Sequence, residues 1–449
     1  MSSYRPANLV SITSKVLMRV LHARLSPMVD DTVGEYQHGF RSTRSTTDAI
    51  LTLRLLCEKY SQLHDRQLIA CFIDLTQAFD RVSWELLWHS LRLSGAPDPL
   101  VRVLQVVYEA IDMRVRTEPS EEDPGSFRPT AGVRQGCVLS PTLFILMFDY
   151  IIRISMKGIE HWPERCNWPV MGSTLLPLLG YADDLVLVAR RLPALRARLL
   201  RLEAICSRAG MCLSTKTKVL YIHPAPGTET PAIPLRDLTV EPVTSFIYLG
   251  SEVNGNLNLD DTIRDRMSKA GAVFGMLRRI WAGTLPLHLK TRMYLALVRP
   301  VALYGAETWT LLPAQERSLD AAEMRWIRQL LGVHPLDLVP NTELRARAHC
   351  PVSLSEVCRQ YRLRYYGHLC RTPFKRTQKV ALLQRPAGTR RPGRPPLSWY
   401  DLIEADAHTR GFTRADLMQH SRDRERYREE VVYGDRLDGK PTRTRPRPT

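Results

Sequence analysis

The chain has 449 residues, of which 44% are hydrophobic and 24% charged, a composition typical of globular rather than disordered proteins. Its 63 Lys and Arg residues outweigh 46 Asp and Glu, and the net charge of +17 favours a polyanionic partner, nucleic acid before membrane; the alternative is a merely soluble basic protein. No apolar run is long enough to span a bilayer, and the N-terminus is no signal peptide. We therefore expect an intracellular protein, in the nucleus or the cytoplasm, whose nine cysteines are reduced thiols.

The first part of the chain is predicted to form helices followed by a buried strand. Helical segments extend through about Ser61 and are interrupted by the loop EYQHGFRSTRSTTD, in which Arg41 and Arg44 flank small hydroxyl residues. The run QLIACFIDL is apolar and of strand length, and it ends at the carboxylate of Asp74. Apolar residues from Trp84 to Leu91 then recur at helical spacing.

The middle of the chain is predicted to alternate helices and strands. The polar stretch TEPSEEDPGSFRPT indicates a hairpin or an exposed loop. A helix follows, with Ser140 as its cap and Pro141 at its first position. The stretch LLGYADDLVLVAR fits two short strands joined by a tight turn that carries Asp183 and Asp184. A polar helix from Leu192 to about Gly210 and the strands KTKVLYI and FIYLGSEV continue the alternation.

Long helical stretches replace this alternation near residue 255, where we place a domain boundary. The predicted domains are residues 1–254 and residues 255–372. Beyond about Thr372 the composition shifts to Arg and Pro, as in RPAGTRRPGRPP and PTRTRPRPT. This shift predicts a weakly folded basic tail over residues 373–449, apart from one amphipathic piece, LSWYDLIEADA.

Three carboxylates lie at predicted strand ends: Asp74 after one strand, and Asp183 with Asp184 in a hairpin turn. Such groups are costly to hold close together near a core unless a cation compensates them. Oxygen ligands of this kind suit Mg²⁺, and two such ions about 4 Å apart would stabilise the attacking and leaving oxygens of a phosphoryl transfer. The alternative for the Asp pair is a solvated turn.

Several sequence blocks occur in an order that resembles the reverse transcriptases of non-LTR retrotransposons, the LINE-type elements. YRPANLVSITSKVLMRVLHARL and QHGFRSTRSTTDAI are similar to their finger segment. FIDLTQAFDRV, GVRQGCVLSPTLFILMFDYI, YADD, the KTK segment and FIYLG resemble their five palm motifs. ALYGAETW, AAEMRWIRQLLGV, RLRYYGHLCR and GRPPLSWYDLIEAD are similar to their thumb and C-terminal region. The resemblance thus covers nearly the whole chain.

This resemblance implies an α+β protein with the right-hand polymerase fold. Residues 1–254 would form the fingers and palm, and residues 255–372 the thumb and a helical C-terminal region, before the basic tail. The implied activity is that of an RNA-directed DNA polymerase, which copies an RNA template from a DNA primer with dNTPs and two Mg²⁺ or Mn²⁺ ions. The alternative is a non-catalytic nucleic-acid-binding relic or domesticated fragment, which the intact acidic positions disfavour.

The resemblance also implies roles for individual residues in the palm. Asp74, Asp183 and Asp184 match the metal-binding triad. Phe79, five positions after Asp74, matches an aromatic gate whose ring would clash with a ribose 2′-OH and so select deoxynucleotides. The alternative for Phe79 is an ordinary core aromatic.

Four further residues match positions that contact substrates in this family. Arg41 matches a finger arginine that contacts the incoming triphosphate, with a loop-surface charge as the alternative. Gln135 and Gly136 match a segment along the template and the nucleotide, where glycine permits a close backbone approach. Lys216 would protonate or neutralise the pyrophosphate leaving group, or would remain a solvated charge.

The chain departs from the family pattern at three places. It begins at YRP without the preceding finger strand, and no endonuclease precedes the polymerase. The block AGMCLSTKTKVL is a residue shorter than expected and lacks the usual Asn. These departures predict an N-terminally truncated genomic copy or an incomplete gene model.

Two weaker signals lie near the C-terminus. A Cys₃His zinc set is one interpretation of four residues there, against ordinary buried thiols and a histidine. They are Cys350, Cys358, His368 and Cys370. The segment Gly393-Arg394-Pro395 has the extended composition of minor-groove-binding arms, or else of a flexible basic linker.

Overall fold

The computed structural model describes residues 8–64, 68–115, 125–161, 164–224, 227, 229–393 and 396–434. The chain divides into two compact units. Unit 1 comprises Met1–Ala49, Asp65–Phe246 and Arg385–Thr389, and unit 2 comprises Ile50–His64, Ile247–Gln384 and Arg390–Thr449. The main division falls within ten residues of the boundary predicted at 255. The sequence does not indicate that Ile50–His64 belongs to unit 2 or that Arg385–Thr389 belongs to unit 1.

Unit 1 is built on a six-stranded sheet with helices packed against it. Its strands are β1 (Leu68–Ile73), β2 (Met113–Arg114), β3 (Ser126–Phe127), β4 (Val170–Met171), β5 (Thr174–Leu175), β6 (Leu178–Tyr181), β7 (Asp184–Ala189), β8 (Lys218–Ile222), β9 (Ile233–Pro234) and β10 (Thr239–Val243). Its helices are α1 (Ile12–Thr32), α2 (Thr46–Ser61), which continues into unit 2, α3 (Trp84–Leu93), α4 (Asp98–Glu109), α5 (Ser140–Met156) and α6 (Leu192–Arg208).

The main sheet has the strand order β6-β7-β1-β8-β10-β9. Neighbouring strands are antiparallel except β8 and β10, which run parallel. All six residues of β1 are buried, as expected for a central apolar strand, and α5 contributes a long apolar face to the same core. The predicted α+β class is confirmed.

Two local predictions in unit 1 have different outcomes. The helix predicted near Ser140 begins at that residue, but its N-terminus has no side-chain cap, so the capping role assigned to Ser140 is wrong. The predicted hairpin is present in part, because β2 pairs with β3. Residues 116–124 between these strands lie outside the described residues.

The described residues of unit 2 are mainly helical, and they include most of one strand pair, β11 (Ser245–Tyr248), which begins at the end of unit 1, with β12 (Ser251–Asn254). Its helices are α7 (Asp260–Met276), α8 (Arg278–Ala282), α9 (Leu287–Met293), α10 (Arg299–Ala302), α11 (Pro313–Leu331), α12 (Asn341–Arg347), α13 (Leu354–Arg371), α14 (Thr377–Leu383), α15 (Trp399–His408), α16 (Arg414–His420) and α17 (Arg424–Arg426). None of the described helices in either unit is long and apolar enough to cross a membrane.

The prediction of a weakly folded tail from residue 373 is wrong for most of its length. Helices α14 to α17 occupy this region, and Trp399 and Tyr427 are buried in unit 2. The indole N–H of Trp399 donates to the carbonyl of Glu307 at 2.7 Å, and Asp406 forms ion pairs with Arg362 and Arg359. The apolar residues that fold this region are sparse among many arginines, so composition alone misled the prediction.

Part of the predicted tail lies beyond the residues that the structure describes. Arg394 and Pro395 lie outside the described residues, as do residues 435–449 with the motif PTRTRPRPT. The predicted basic arm at Gly393-Arg394-Pro395 therefore stays a prediction.

Candidate active site

The aspartate pair lies at the turn of the hairpin formed by β6 and β7. Tyr181 pairs with Asp184, so Ala182 and Asp183 form a two-residue turn. Ala182 has a φ of 58°, the left-handed sign that hairpin turns of this length favour at their first central position. Asp183 is half-buried and Asp184 is exposed, while the strand residues behind them are buried. The local sequence thus presents two carboxylates at the rim of an apolar sheet.

Asp74 follows directly after the neighbouring strand β1. Ile73 of β1 pairs with Leu185 of β7, so one further step in the antiparallel register sets Asp74 opposite Asp184. Opposed Cα atoms in such pairs are about 4.5 to 5.5 Å apart. The backbone N–H of Asp74 donates to the Thr217 hydroxyl at 3.2 Å. The sheet therefore brings the three predicted aspartates to the same end of adjacent strands.

The chemistry of these carboxylates fits a divalent cation, since carboxylate oxygens are preferred ligands of Mg²⁺. The side chains do not already converge: among the described residues, no three His, Cys, Asp or Glu side chains form a group that could hold a metal ion. Carboxylates repel one another without a cation between them, so the lack of such a group among the described residues is physically reasonable. The prediction that these aspartates bind metal is therefore supported by the backbone register of the strands and not by a preformed cluster of side chains.

The four residues of the possible zinc set all lie among the described residues, and no three of them form a group that could hold a metal ion. Cys350 and Cys358 are buried, and burial raises the pKa of the Cys358 thiol to about 12. The Arg299 guanidinium donates to the Cys350 sulfur at 3.4 Å. Their structural surroundings match the alternative interpretation, ordinary thiols in a helical core.

Lys216 lies in the turn that holds Asp74. The backbone N–H of Ser214 donates to the Asp74 carbonyl at 2.8 Å, and Thr217 bonds the Asp74 amide from the other end of the turn. Lys216 is exposed between them. Lys216 thus follows closely on the segment that is bonded to Asp74, and its role toward pyrophosphate stays a prediction.

Phe79 packs against the core of unit 1 while remaining partly exposed. Its ring stacks on Phe144, with the centroids 4.6 Å apart and the planes 13° from parallel. Its carbonyl accepts a hydrogen bond of 2.8 Å from the Val133 N–H. Both the ring and the backbone of Phe79 are therefore fixed, which suits a core aromatic and a rigid gate alike.

Arg41 makes its contacts inside the protein. The Arg41 side chain is only 1% exposed, and its guanidinium donates to the carbonyls of Val33 and Gly34 and to Asp30. The bonds to Asp30 and Val33 hold the loop that carries Arg41 against the C-terminal end of α1. Arg41 is therefore not the loop-surface charge of the alternative interpretation, and its contact with an incoming triphosphate stays a prediction.

Gln135 and Gly136 make close contacts, but with protein. The Gln135 amide donates to both carboxylate oxygens of Asp80 at 3.1 Å, and the Asn8 N–H donates to the Gln135 carbonyl at 2.9 Å. Gly136 has a φ of 102°, and a Cβ there would lie 3.0 Å from the Asn8 carbonyl oxygen. The close approach expected at this glycine is thus made by the N-terminal segment.

Two residues that sequence reasoning left without a role contact the aspartate turn directly. The buried Gln37 amide donates to the Ala182 carbonyl at 3.1 Å and accepts from the Ala182 N–H at 2.8 Å. A Cβ on Gly39 would lie only 2.4 Å from the Ala182 nitrogen. Both residues belong to the QHGF stretch that carried the family resemblance, and their contacts lie more than 140 positions along the chain, beyond any local pattern.

The chain is similar to known reverse transcriptases. The family model described as reverse transcriptase (RNA-dependent DNA polymerase) matches residues 1–253. A probable RNA-directed DNA polymerase from transposon BS of Drosophila melanogaster is 28% identical over 376 residues, which cover 78% of this chain and 36% of that protein. The Pol polyprotein of the type-2 retrotransposable element R2DM, also from Drosophila melanogaster, is 30% identical over 188 residues, which cover 41% of this chain and 16% of that protein.

The chain therefore spans about a third or less of the length of these two relatives. Among solved structures, apo telomerase from Candida Tropicalis is 13% identical with a TM-score of 0.42, and the match covers 93% of this chain and 60% of that one. The family match confirms the predicted right-hand polymerase fold and the resemblance to retrotransposon enzymes. With more than half of its length matched by the family model, the chain belongs to the reverse transcriptase family.

Proposed function

We propose that the chain is an RNA-directed DNA polymerase of a non-LTR retrotransposon, which extends a DNA primer on an RNA template with dNTPs. The observation that carries the proposal is the register of β1 and β7, which sets Asp74 opposite Asp184 beside the Asp183 turn. Two-metal nucleotidyl transfer uses carboxylates that can face shared cations, and the adjacent strand ends of this sheet, in a chain of the reverse transcriptase family, support that role for the three aspartates.

Asp74, Asp183 and Asp184 would hold two Mg²⁺ or Mn²⁺ ions. When bound, such ions supply Lewis-acid stabilisation of the attacking and leaving oxygens. The carboxylates need only modest side-chain rotation to face a shared point, because their backbones are already adjacent. Lys216, exposed beside Asp74, would neutralise the negative charge that develops on the departing pyrophosphate.

Phe79 would act as the gate against ribonucleotides. Its ring cannot move aside easily, since it stacks on the fully buried Phe144 and its backbone is bonded to Val133. A rigid aromatic surface penalises one additional hydroxyl by steric exclusion. The partial exposure of Phe79 leaves a face on which a sugar can rest.

An RNA template and a DNA primer would be the macromolecular partners. The net charge of +17 supports this, since polyphosphate chains are bound with release of counterions. Such a reaction would take place where RNA templates, dNTPs and target DNA are available, in the nucleus or the cytoplasm.

Primer extension by the Asp183→Asn variant tests the proposal. Losing a metal ligand removes several kcal/mol of transition-state stabilisation, so the rate on an RNA template should fall about a thousandfold or more. Affinity for the primer–template should stay within a few fold of that of the wild-type chain. Asp112→Asn, at an exposed aspartate of the same unit, is the matched control and should extend primers normally.

Two results would contradict the proposal. Extension by Asp183→Asn at the wild-type rate would remove the aspartates from the chemistry. A wild-type chain that binds the primer–template but never extends it would instead indicate the non-catalytic nucleic-acid-binding alternative.

A further inference from the structure

The loop from Gly34 to Arg41, here called the finger loop, is anchored to two helices of unit 1. On one side the Gly34 N–H and the Tyr36 hydroxyl both donate to Asp149 of α5, at 2.9 and 2.8 Å. Burial, followed by the adjacent Asp149 charge, raises the pKa of Tyr36 well above its usual range, so the phenol keeps the proton that it donates. On the other side Arg41 ties the loop to α1. The finger loop is therefore a fixed support.

This support meets the aspartate hairpin along its backbone. The His38 N–H donates to the Gly180 carbonyl at 2.8 Å, and the Gly180 N–H donates to the Tyr36 carbonyl at 2.9 Å. Two backbone bonds thus join the finger loop to β6 immediately before the turn. Gly39 continues the contact, because any side chain there would overlap the Ala182 nitrogen.

Gln37 extends the support into the turn itself. Its carbonyl oxygen accepts from the N–H groups of Ala182 and Gly39, and its NH₂ group donates to the Ala182 carbonyl. One amide therefore satisfies both backbone groups of Ala182, the residue that precedes Asp183. Ala182 is in the left-handed region at φ 58°, a conformation that alanine rarely adopts unless its surroundings hold it.

These contacts distinguish Gln37 from an amide that merely fills a core. Its partners are the two backbone polar groups of Ala182, the residue immediately before Asp183. The Gln37 side chain lies in the interior at 1% exposure, so neither water nor substrate competes for its bonds. A rigid amide bonded to a strained turn is a means of fixing the carboxylates in space.

We propose that Gln37 is a positioning residue for the metal ligands: it holds the Ala182 peptide so that Asp183 and Asp184 are oriented for divalent cations. The inference rests on the proposed function, since it assigns Gln37 a role through the aspartates. Replacing a residue that hydrogen-bonds to metal ligands and orients them typically lowers metal affinity or activity by about 10- to 100-fold.

The test compares Gln37→Met with a matched variant elsewhere in the full chain. Methionine keeps the length of the side chain but loses all three hydrogen bonds. Gln315→Met is the control, because Gln315 is also buried and also bonds a backbone N–H and one further group, in unit 2. Gln37→Asn keeps the amide and adds no charge but shortens the side chain by one methylene, so it weakens the three bonds and provides a milder variant.

Two readouts are needed, and one is independent of turnover. The first is the Mg²⁺ concentration that gives half-maximal primer extension. The second is Mn²⁺ binding, followed by the loss of the free-ion EPR signal, with a dideoxy-terminated primer and bound dNTP so that no chemistry occurs. Thermal unfolding of each variant reports whether it is folded.

We expect Gln37→Met to raise both the half-maximal Mg²⁺ concentration and the Mn²⁺ dissociation constant about tenfold. Gln37→Asn should raise them by less, and Gln315→Met should leave both unchanged while lowering the unfolding temperature. If Gln37→Met proves unfolded, a shift in Gln37→Asn without a shift in Gln315→Met supports the same conclusion.

Unchanged metal dependence in a folded Gln37→Met variant would overturn the inference, and so would an equal shift in Gln315→Met. Failure of the proposed function is a different result: the wild-type chain would not extend primers, or Asp183→Asn would extend them normally.

Discussion

The two units of this protein use carboxylates in opposite ways. In unit 2, Glu323 is fully buried, and it accepts from Arg299 and Arg345 at 2.9 and 2.8 Å and from the Tyr294 hydroxyl at 2.8 Å. In unit 1, Asp74 and Asp183 are half-buried and Asp184 is exposed, all at strand ends on the rim of the sheet.

We propose that this difference separates a structural carboxylate from carboxylates that serve chemistry. A buried carboxylate that is neutralised by two arginines is committed to the fold, because losing it would leave cations in the interior. A carboxylate at the rim costs little to keep and can still accept a cation from solvent. The burial and the partners of an acidic residue therefore say more about its role than its residue type does.

The largest effect on stability should come from Glu323→Gln. This change leaves two largely buried arginines without their anion, and breaking a buried ion pair in this way costs about 3 to 5 kcal/mol. The measurement is the free energy of unfolding from denaturant titration. Glu343→Gln, which breaks an exposed pair with Arg347 one helical turn away, is the control and should change stability by about 0.5 kcal/mol or less. Equal effects of the two variants would show that Glu323 is not structural.

A smaller effect, on selectivity and not on folding, is expected from Phe79→Ala. Removing the ring opens space for the ribose hydroxyl, so the preference for dNTPs over rNTPs should fall about tenfold or more. Single-nucleotide incorporation on an RNA template measures this ratio. Phe72→Ala is the matched control, since Phe72 also stacks on a neighbouring ring, that of Phe246 at 4.2 Å. It should destabilise unit 1 and leave the ratio unchanged; a ratio unaffected by Phe79→Ala would make Phe79 an ordinary core residue.

The sequence was sufficient for those parts of the account that depend on local pattern. An apolar run ending in Asp74 and a YADD turn between β-branched runs are both contained within a dozen residues, and the structure has them as predicted strands and turn. The convergence of these two segments at one end of the sheet followed from the resemblance, and the register of β1 and β7 agrees with it.

Contacts between distant segments could not be predicted from the sequence. The guanidinium of Arg41 donates to the carbonyls of Asp30, Val33 and Gly34, contacts that form only when the loop folds back on α1. Gln37 has no distinguishing pattern, and its partner Ala182 lies 145 positions away. The helices after residue 373 were missed because their few apolar anchors, such as Trp399, are diluted by arginine and proline.

The central claim is that the rim aspartates of unit 1 serve chemistry and not the fold. The most direct measurement takes one variant, Asp74→Asn, and determines both its unfolding free energy and its rate of primer extension on an RNA template. Asp74 is the most informative position because it comes from a different strand than the YADD turn. We expect the unfolding free energy of Asp74→Asn to lie within about 1 kcal/mol of that of the wild-type chain and its rate of primer extension to fall about a thousandfold. Extension at the wild-type rate, or a loss of stability as large as that of Glu323→Gln, would contradict it.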